Sequence, residues 1–528
     1  NFKKVHLTLV NNCTIHSVVA EKCDKLVEFY LHVAVEKTIG LTNCPLLPKM
    51  TFTDQVETFT ATDCSKLTTI EGGAISEKLD LDNCAVSTIP SCVTTTKYLD
   101  IKNCANLTKI EAKENGRLDD VKVKNCSTLT SIDVANSGTS SFYLTINNCP
   151  QLKRIDNVDR LSKVTITNCA NLEKLDTDNA SKLHHVIING CDKLEKINGK
   201  NFLKFFEATS CQKLATLEGM NALEGLTLSH CAAITKLTAW NALKSMSAKN
   251  CDKLATVEAK NASRLTSIEL SNCSGVTLTA SNCAKLSTLS IGNCVSTLTV
   301  ENCSQLPSLN GGNNVRTLTV KNCGNLSTIT GGDKVQTLSV SSCGNLSSLS
   351  AGSALETLTL SNCGKISSLA NVSAVRNLSV ENCGAITSIL YANKPNLKSI
   401  SLKNCAQLKT IEAGHCDNLQ TVVVSACANL NKLDVNNSKK VTSVEANPCK
   451  EVNTEGCSEL ATLKVGNNLQ TLQASNCTKL TKVEGTLSAL TSLQCNYNTG
   501  FTTDFLKGVL EGSTAPKLEV CEVRYVNL

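Results

Sequence analysis

The sequence has few aromatic residues and few prolines. Phe, Tyr and Trp make up 3% of its 528 residues, with a single Trp, and there are eight prolines. Because 41% of the residues are nevertheless hydrophobic, any core must be built from Leu, Val, Ile, Ala and Cys. Such a core is thin and regular, since no large rings are available to fill wide interior spaces.

Strong charge and long apolar runs are also missing. The formal net charge is +6, from 52 basic and 46 acidic residues, and no polybasic block occurs. Nucleic acid is therefore not an expected partner. No run reaches the roughly 18 apolar residues that a membrane-spanning helix needs, so no membrane span is expected. The chain begins at Asn1 rather than Met, which fits a matured secreted chain or a trimmed fragment.

Motifs of catalysis and metal binding are absent. The sequence has no G-x-S-x-G, no Gly-rich phosphate loop, no H-E-x-x-H and no C-x-x-C. Its nearest histidine pair, His184 and His185, is adjacent on a predicted strand and so points to opposite faces. We therefore expect no enzymatic activity, no catalytic residues, no cofactor and no metal site.

What the sequence does contain is a repeat marked by cysteine. The cysteines recur at intervals of twenty residues, lengthening to about twenty-two in places, and a period of this size is typical of solenoid proteins. The evenly spaced runs are Cys44, Cys64, Cys84 and Cys104, then Cys211, Cys231 and Cys251, and then Cys303, Cys323, Cys343, Cys363 and Cys383.

One repeat, residues 355–369 with the sequence LETLTLSNCGKISSL, shows how a coil is built. Leu358, Thr359 and Leu360 alternate with a period of two, which predicts a strand with its leucines inward and its threonine outward. The Ser-Asn-Cys that follows breaks the alternation, and Asn tolerates turn dihedral angles. A near eleven-residue repeat of apolar residues over 407–449 predicts a second strand-like side. A coil of twenty residues has no room for a full helix after its strand.

The pattern L-x-x-L-x-L-x-x-C-x-x-L resembles the leucine-rich repeat family, in a variant with Cys where Asn is usual. Its short coils are similar to those of secreted bacterial surface proteins, including proteins of Bacteroidetes. The resemblance implies a repeat β-solenoid of 20–22-residue coils with parallel sheet on one or both sides and little helix. It covers residues 37–497, about 22 coils, and departs from the pattern at Gly275–Cys303 and Pro448–Cys457.

The repeated cysteines are predicted to be buried thiols. Stacked coils place equivalent Cβ atoms about 4.8 Å apart, whereas a disulfide needs about 3.8 Å. A small thiol also suits an inward position beside a turn. The cysteines outside the repeat register are better disulfide candidates, although the sequence does not pair them: Cys13, Cys23, Cys92, Cys416, Cys449, Cys495 and Cys521.

Outward strand positions carry any recognition surface, because inward residues are used in stacking. Charge is frequent at these positions in early repeats, but residues 261–390 contain only seven Lys or Arg and five Asp or Glu. There the outward positions become two predicted files of hydroxyls. They are the candidate binding face: Thr297, Thr299, Thr317, Thr319, Thr337, Ser339, Thr357, Thr359, Ser379 and Ser401, with Asn377 and Ser399 in the same rows. Threonine as an exposed strand former, a glycan-contacting face and an ice-binding array all remain open.

The ends are predicted to be distinct from the solenoid. Residues 1–36 form irregular coils or a cap, and residues 498–528 form a cap with a short helix over 501–512 and a final strand. Candidate assembly residues at the two ends are Val5, Leu7 and Leu9, and Leu518, Val520, Val523 and Val526. Strand addition between the last coil of one chain and the first coil of the next would give a filament.

The sequence thus predicts a non-catalytic extracellular or cell-surface repeat protein. It would act as a binding or adhesion scaffold that binds a protein or a glycan at its solenoid face. The alternative is a structural subunit that forms a homopolymer by end-to-end stacking of its terminal coils.

Overall fold

The computed structural model describes residues 2–8, 14–112, 115–135, 142–177, 180–511 and 513–526. The chain forms two compact units, unit 1 (Asn1–Leu254) and unit 2 (Ala255–Leu528). Each unit is a stack of parallel β coils with one strand on each of two sides.

Unit 1 contains twenty-three strands in its described residues. They are β1 Lys4–Thr8, β2 Thr14–Glu21, β3 Glu28–His32, β4 Ala34–Thr42, β5 Lys49–Phe52, β6 Val56–Thr62, β7 Thr69–Gly72, β8 Ile75–Asp82, β9 Tyr98–Lys102, β10 Lys109–Glu111, β11 Asp120–Lys124, β12 Ser131–Asp133, β13 Phe142–Asn147, β14 Arg154–Asp156, β15 Leu161–Thr167, β16 Lys174–Leu175, β17 His185–Asn189, β18 Lys196–Asn198, β19 Phe205–Thr209, β20 Thr216–Glu218, β21 Gly225–Ser229, β22 Lys236–Thr238 and β23 Ser245–Lys249.

From β8 onward, long and short strands of unit 1 lie on opposite sides of its coils. The long strands lie side by side in the order β2, β4, β6, β8, β9, β11, β13, β15, β17, β19, β21 and β23. The second side carries three separate sheets, β1-β3-β5-β7, β10-β12-β14-β16 and β18-β20, and in addition the strand β22. A 3-10 turn, Ser91–Val93, replaces the second-side strand in one coil.

Unit 2 contains the remaining strands and the one α-helix of the described residues. They are β24 Thr256–Lys260, β25 Ser267–Ser271, β26 Val276–Ser281, β27 Thr288–Ser290, β28 Val295–Glu301, β29 Ser308–Asn310, β30 Thr317–Lys321, β31 Thr328–Thr330, β32 Thr337–Ser341, β33 Ser348–Ser350, β34 Thr357–Ser361, β35 Asn377–Glu381, β36 Ser388–Leu390, β37 Ser399–Lys403, β38 Thr410–Glu412, β39 Thr421–Ser425, β40 Lys432–Asp434, β41 Ser443–Asn447, β42 Glu451–Asn453, β43 Thr462–Val465, β44 Thr471–Gln473, β45 Val483–Gly485, β46 Ser492–Gln494, α1 Thr503–Leu510 and β47 Val520–Glu522, with a 3-10 turn at Ala370–Val372.

Successive coils of unit 2 pair in register, which confirms the predicted solenoid. In β30 and β32, Leu318 lies beside Leu338 and Thr319 beside Ser339. Leu338 is fully buried, whereas Ser339 is half-exposed. The alternation of Leu and hydroxyl residues therefore sorts them to the two faces of the sheet, as the sequence predicts.

The cysteines form a buried file along each unit. Those of the unit 1 file are Cys44, Cys64, Cys84, Cys104, Cys126, Cys149, Cys169, Cys191, Cys211, Cys231 and Cys251, and those of the unit 2 file are Cys283, Cys303, Cys323, Cys343, Cys363, Cys383, Cys405 and Cys427. Their thiols donate to nearby carbonyls: Cys303 Sγ donates to Glu301 O in its own coil (3.4 Å) and to Ala280 O in the preceding coil (3.6 Å). The prediction of buried, unbridged file cysteines is confirmed.

The sequence left open whether the cysteines outside the register form disulfides, and the described ones are free. Cys23, Cys92, Cys416, Cys449, Cys495 and Cys521 are all thiols, and Cys13 lies outside the described residues. The physical reason is that most of these cysteines also occupy core positions. Cys416, for example, is fully buried and donates to Tyr391 O at 3.2 Å. Such a cysteine is therefore buried as a small apolar group and is not cross-linked.

Asparagine reverses the chain after the long strands. Asn302, Asn322 and Asn362 have φ between 53° and 54°, a left-handed conformation that Asn tolerates better than most residues. Their side chains also bond from coil to coil, because Asn322 Nδ2 donates to Asn302 Oδ1 at 2.9 Å. We call the residues of these chains of bonds the amide ladder: Asn261, Asn282, Asn302 and Asn322, and then Asn362, Asn382 and Asn404.

The irregular cysteine spacing near residue 280 has a structural explanation. In unit 2 both β25 and β26 end in an Asn-Cys turn, on opposite sides of one coil. Cys273 lies next to Cys294, whose Sγ accepts from the Cys273 backbone N–H at 3.1 Å. Cys283 instead begins the unit 2 file. The ten-residue spacing therefore reflects two files on opposite sides of the coil, not a shortened coil.

A second file of buried side chains explains the irregular cysteine spacing at Pro448–Cys457. This file contains polar residues as well as cysteines. Its members follow the short strands of unit 2: Cys416, Ser438, Cys457, Cys477 and Asn498. Ser438 and Asn498 are fully buried. The Ser438 hydroxyl accepts from the Cys416 N–H (3.1 Å), and Asn498 Oδ1 accepts from the Cys477 N–H (2.6 Å). Both polar side chains thus satisfy buried backbone groups.

The candidate assembly residues near the two ends differ in how far they are covered by neighbouring strands. Val5 and Leu7 of β1 lie beside Phe29 and Leu31 of β3, and Leu9 lies outside the described residues. Near the other end, α1 begins after Thr502, whose hydroxyl accepts from the Phe505 N–H, and it buries Leu506 and Val509. All three residues of β47 are exposed, while Leu518, Val523 and Val526 are half-exposed. The predicted domain boundaries at residues 36 and 497 stay predictions.

Candidate binding surface

The predicted hydroxyl positions form two straight rows on the long-strand sheet of unit 2. One row contains Thr297, Thr317, Thr337, Thr357, Asn377 and Ser399, and the other contains Thr299, Thr319, Ser339, Thr359, Ser379 and Ser401. We call these two rows the hydroxyl face. Every neighbouring pair within a row is a direct register pair of the sheet, so the side chains repeat about every 4.8 Å along a row.

The hydroxyl face is accessible and carries no charge. Its Thr residues are half-exposed, and Ser379 and Ser401 are exposed. Ionic groups border the face on both sides and include the pairs Glu301–Lys321 (3.2 Å) and Glu381–Lys403 (3.0 Å) on one side and Glu356–Arg376 (3.6 Å) on the other. The hydroxyls therefore face solvent without a strong local field.

The face is longer than the sequence predicted. Thr277 and Thr279 of β26 lie beside Thr297 and Thr299, and thus add one coil at its start. These two residues were not among the predicted positions, because they fall where the cysteine spacing is irregular. At the other end, Ser401 lies beside Val423, where the second row ceases to be polar. The amide ladder adds further neutral polar groups at the turn that follows each long strand.

The corresponding outward surface of unit 1 has a different character. On β8 and β9 it carries close ion pairs, Lys78–Asp80 (2.7 Å) and Lys102–Asp100 (2.8 Å). Farther along, the rings of His185 and Phe205 stack with centroids 4.6 Å apart. The long uncharged hydroxyl array is therefore a property of unit 2 and not of every coil.

Some of the buried thiols are poorly suited to chemistry, whereas hydrogen bonding with a neighbouring file cysteine lowers the pKa of Cys363 and that of Cys427 to about 7. Burial raises the pKa of Cys104 to about 12 and that of Cys477 to about 11, from an ordinary value of 9.0. The thiolate, which is the nucleophile and metal ligand, is then scarce at neutral pH. No group of three or more His, Cys, Asp or Glu side chains among the described residues is arranged to hold a metal ion. The absence of enzymatic activity stays a prediction.

In the part of the chain that the structure describes, no helix combines the length and apolar character needed to cross a membrane.

No protein-family model and no curated protein matches the chain. Solved structures do match it. A leucine-rich repeat protein from Bacteroides ovatus is 16% identical, with 69% of this chain and 82% of that chain covered and a TM-score of 0.25. The functional domain of InlJ from Listeria monocytogenes, which includes a cysteine ladder, is 15% identical, with 70% of each chain covered and a TM-score of 0.23. CroV588, a circular leucine-rich repeat protein, is 14% identical, with 92% of this chain and 83% of that chain covered and a TM-score of 0.28.

The predicted resemblance to leucine-rich repeat proteins is confirmed at the level of the fold. The fold itself is established by the in-register coils of this chain, since such distant matches carry no information on binding.

Proposed function

We propose that the chain is a non-catalytic binding scaffold, located outside the cell or at the cell surface, whose hydroxyl face binds a neutral glycan. The observation that carries this proposal is the pair of uncharged, in-register hydroxyl rows of unit 2. Each Ser or Thr hydroxyl both donates and accepts, which is also true of the hydroxyls of a sugar. A regular array of such groups offers many bonds, each weak by itself, to a repeating polymer.

Charge introduced into the face is expected to abolish this binding. In the double variant Thr337→Glu and Thr357→Glu, each hydroxyl donor is replaced by an acceptor-only carboxylate, which also has to be desolvated on contact. We expect the affinity for a glycan identified on an array of neutral polysaccharides to fall at least about tenfold, the effect of about 1.4 kcal/mol.

The matched control is Thr165→Glu, because Thr165 occupies an outward strand position in unit 1. It is expected to leave glycan binding unchanged. The proposal would be contradicted if no neutral glycan binds the wild-type chain, or if the control and the double variant lose affinity equally. Binding of a protein partner at the same face, disrupted by the same double variant, would replace glycan by protein as the ligand.

The cellular location can be tested separately. Protease treatment of intact cells is expected to degrade the chain, or the chain is expected in the culture medium. Full protection inside intact cells would contradict the proposed location.

A second candidate function, end-to-end assembly, is favoured by β47. Among the described strands, β47 is placed beside β46 alone, and its three residues are exposed. An exposed strand edge can accept a strand from another molecule. Sedimentation velocity over increasing protein concentration is expected to show growing species if the chain assembles in this way. The variant Cys521→Pro is expected to prevent this assembly, because proline has no backbone N–H to donate to an added strand. A single monomeric species at all concentrations would contradict this candidate.

A further inference from the structure

Unit 1 contains a groove that the hydroxyl face does not involve. The groove has a volume of about 950 Å³ and lies along the second side of successive coils, from Glu173 to Lys253. Five lysines and three acidic residues line it: Lys174, Lys193, Lys196, Lys213 and Lys253, with Glu173, Asp176 and Glu195. A concavity of this size is at the upper end of the range for ligand sites.

Three of these lysines share one position in the repeat. Lys193, Lys213 and Lys253 each follow a cysteine of the unit 1 file by two residues, and Ala233 occupies the same position in the coil between Lys213 and Lys253. All three lysines are exposed. Because consecutive coils stack about 4.8 Å apart, Lys193 and Lys213 are neighbours, and the three lysines span about 14 Å.

In two coils of unit 2 a lysine at the same repeat position has a hydrogen-bond partner. In unit 2, Lys365 donates to Asn345 at 2.6 Å and Lys440 donates to Asn418 at 2.8 Å. In each case the acceptor lies two residues after the file residue of the preceding coil. For Lys213, the residue at this acceptor position of the preceding coil is Lys193, which is another cation. Like charges directly opposite each other on neighbouring strands are destabilising, and the same reasoning applies to these stacked coils.

No ion pair joins Lys193, Lys213 or Lys253 to an acidic group among the described residues. Lys174, in contrast, pairs with Asp176 at 3.0 Å. The groove therefore contains a row of cations whose counter-charge is not supplied by the described part of the chain. Such a row attracts an anionic ligand.

We propose that this groove binds an extended acidic segment of a partner protein, with alternate carboxylate side chains meeting Lys193, Lys213 and Lys253. In an extended chain, residues on one face recur about every 6.6 Å, so three of them span about 13 Å. The three lysines span nearly the same length. Flexible lysine side chains absorb the remaining difference in spacing.

The other groups of the groove favour a peptide over a polyanion. Glu173 and Glu195 would repel a chain that carries a sulfate or phosphate on every unit, whereas a peptide can place a neutral or basic residue beside them. The amides of Asn198 and Gln212 also line the groove and can both donate to and accept from a peptide backbone.

The test uses a dye-labelled peptide of about eight residues, alternating Glu and Ser, which is long enough to span the lysine row. The same peptide with Gln for Glu and a heparin fragment serve as comparison ligands. We expect saturable binding of the Glu peptide by fluorescence polarisation, weakening as salt is added, and at least tenfold weaker binding by the Lys193→Ala/Lys213→Ala variant.

Lys365→Ala is the matched control, because it removes a lysine from the same repeat position where a partner exists. It is expected to bind the Glu peptide like the wild type. Circular dichroism spectra of all variants are expected to coincide, since the replaced side chains are exposed. The proposal is overturned if the Glu peptide does not bind at low salt, if the double variant binds it as tightly as the wild type, or if heparin binds more tightly than the peptide.

Discussion

Raising the pH from about 8 to about 10.5 is expected to unfold the protein, because its buried thiols are forced to ionise. Burial raises the pKa of Cys104 and Cys191 in unit 1 to about 12, and in unit 2 it raises that of Cys457 to about 12 and that of Cys477 to about 11. An unfolded thiol has the ordinary value of 9.0. Between the two values the unfolded chain has lost protons that the folded chain keeps.

The sign of the effect follows from this difference in bound protons. Below about pH 9 these four thiols are protonated in both states and add no pH dependence. Above it the unfolded state binds fewer protons, so the free energy of unfolding falls by about 1.4 kcal/mol per pH unit for each such thiol. Four thiols over the roughly 1.5 pH units between about pH 9 and about pH 10.5 give a loss of about 8 kcal/mol, which is comparable with the whole stability of a typical domain.

Urea unfolding at a series of pH values measures this slope directly. Replacing Cys104 or Cys457 by Ala is expected to lower the slope by about 1.4 kcal/mol per pH unit, the contribution of one proton. Cys521→Ala removes an exposed thiol and is expected to change the slope less. A free energy of unfolding that is constant between about pH 8 and about pH 10.5 would contradict the burial of the cysteine files.

A carboxylate introduced at two neighbouring positions of β32 is expected to have opposite consequences. Leu338→Asp places the charge at a fully buried position between Leu318 and Leu358. It is expected to lower the free energy of unfolding by at least about 4 kcal/mol, since a buried carboxylate has no partner there. Ser339→Asp places the same group on the hydroxyl face and is expected to change stability by less than about 0.5 kcal/mol.

This pair is its own control, because the same substitution is made on one strand at adjacent residues. Urea unfolding monitored by circular dichroism gives both values. Equal destabilisation by the two variants, or a larger effect at Ser339, would show that the inward and outward faces of β32 are assigned the wrong way round.

Much of the coil can be predicted from the sequence because its physical causes are local. The alternation of Leu358, Thr359 and Leu360 sets the strand and its faces, and the Asn-Cys that follows sets the turn. The period sets the stacking, so equivalent residues become neighbours. This is why the ten predicted positions of the hydroxyl face fall in two register rows.

Other features depend on contacts that are distant in sequence. The two opposed cysteine files near residue 280 require knowledge of which side of the coil β25 and β26 occupy. Ser438 and Asn498 read as ordinary turn residues, yet they replace cysteine in a buried file and bond to the N–H groups of Cys416 and Cys477. The state of Cys416 could not be predicted for the same reason, since spacing alone does not distinguish a member of a second buried file from a cysteine outside the repeat.

The lysine row of unit 1 could have been found from the sequence. Lys193 and Lys213 each follow a cysteine by two residues, and those cysteines are twenty residues apart. In a stacked coil this arrangement places like charges together. The groove around these lysines could not be predicted, because its depth depends on how far the side chains of the neighbouring short strands extend from the coils.

The in-register coils of β28 to β34 also have a consequence for how such a gene changes. Each of these coils contacts its two neighbours through equivalent residues, so a coil gained or lost by unequal recombination leaves the same kinds of contact on both sides of the junction. The number of copies, and with it the reach of the uncharged surface, can then vary between related genomes in whole coils, about 4.8 Å at a time.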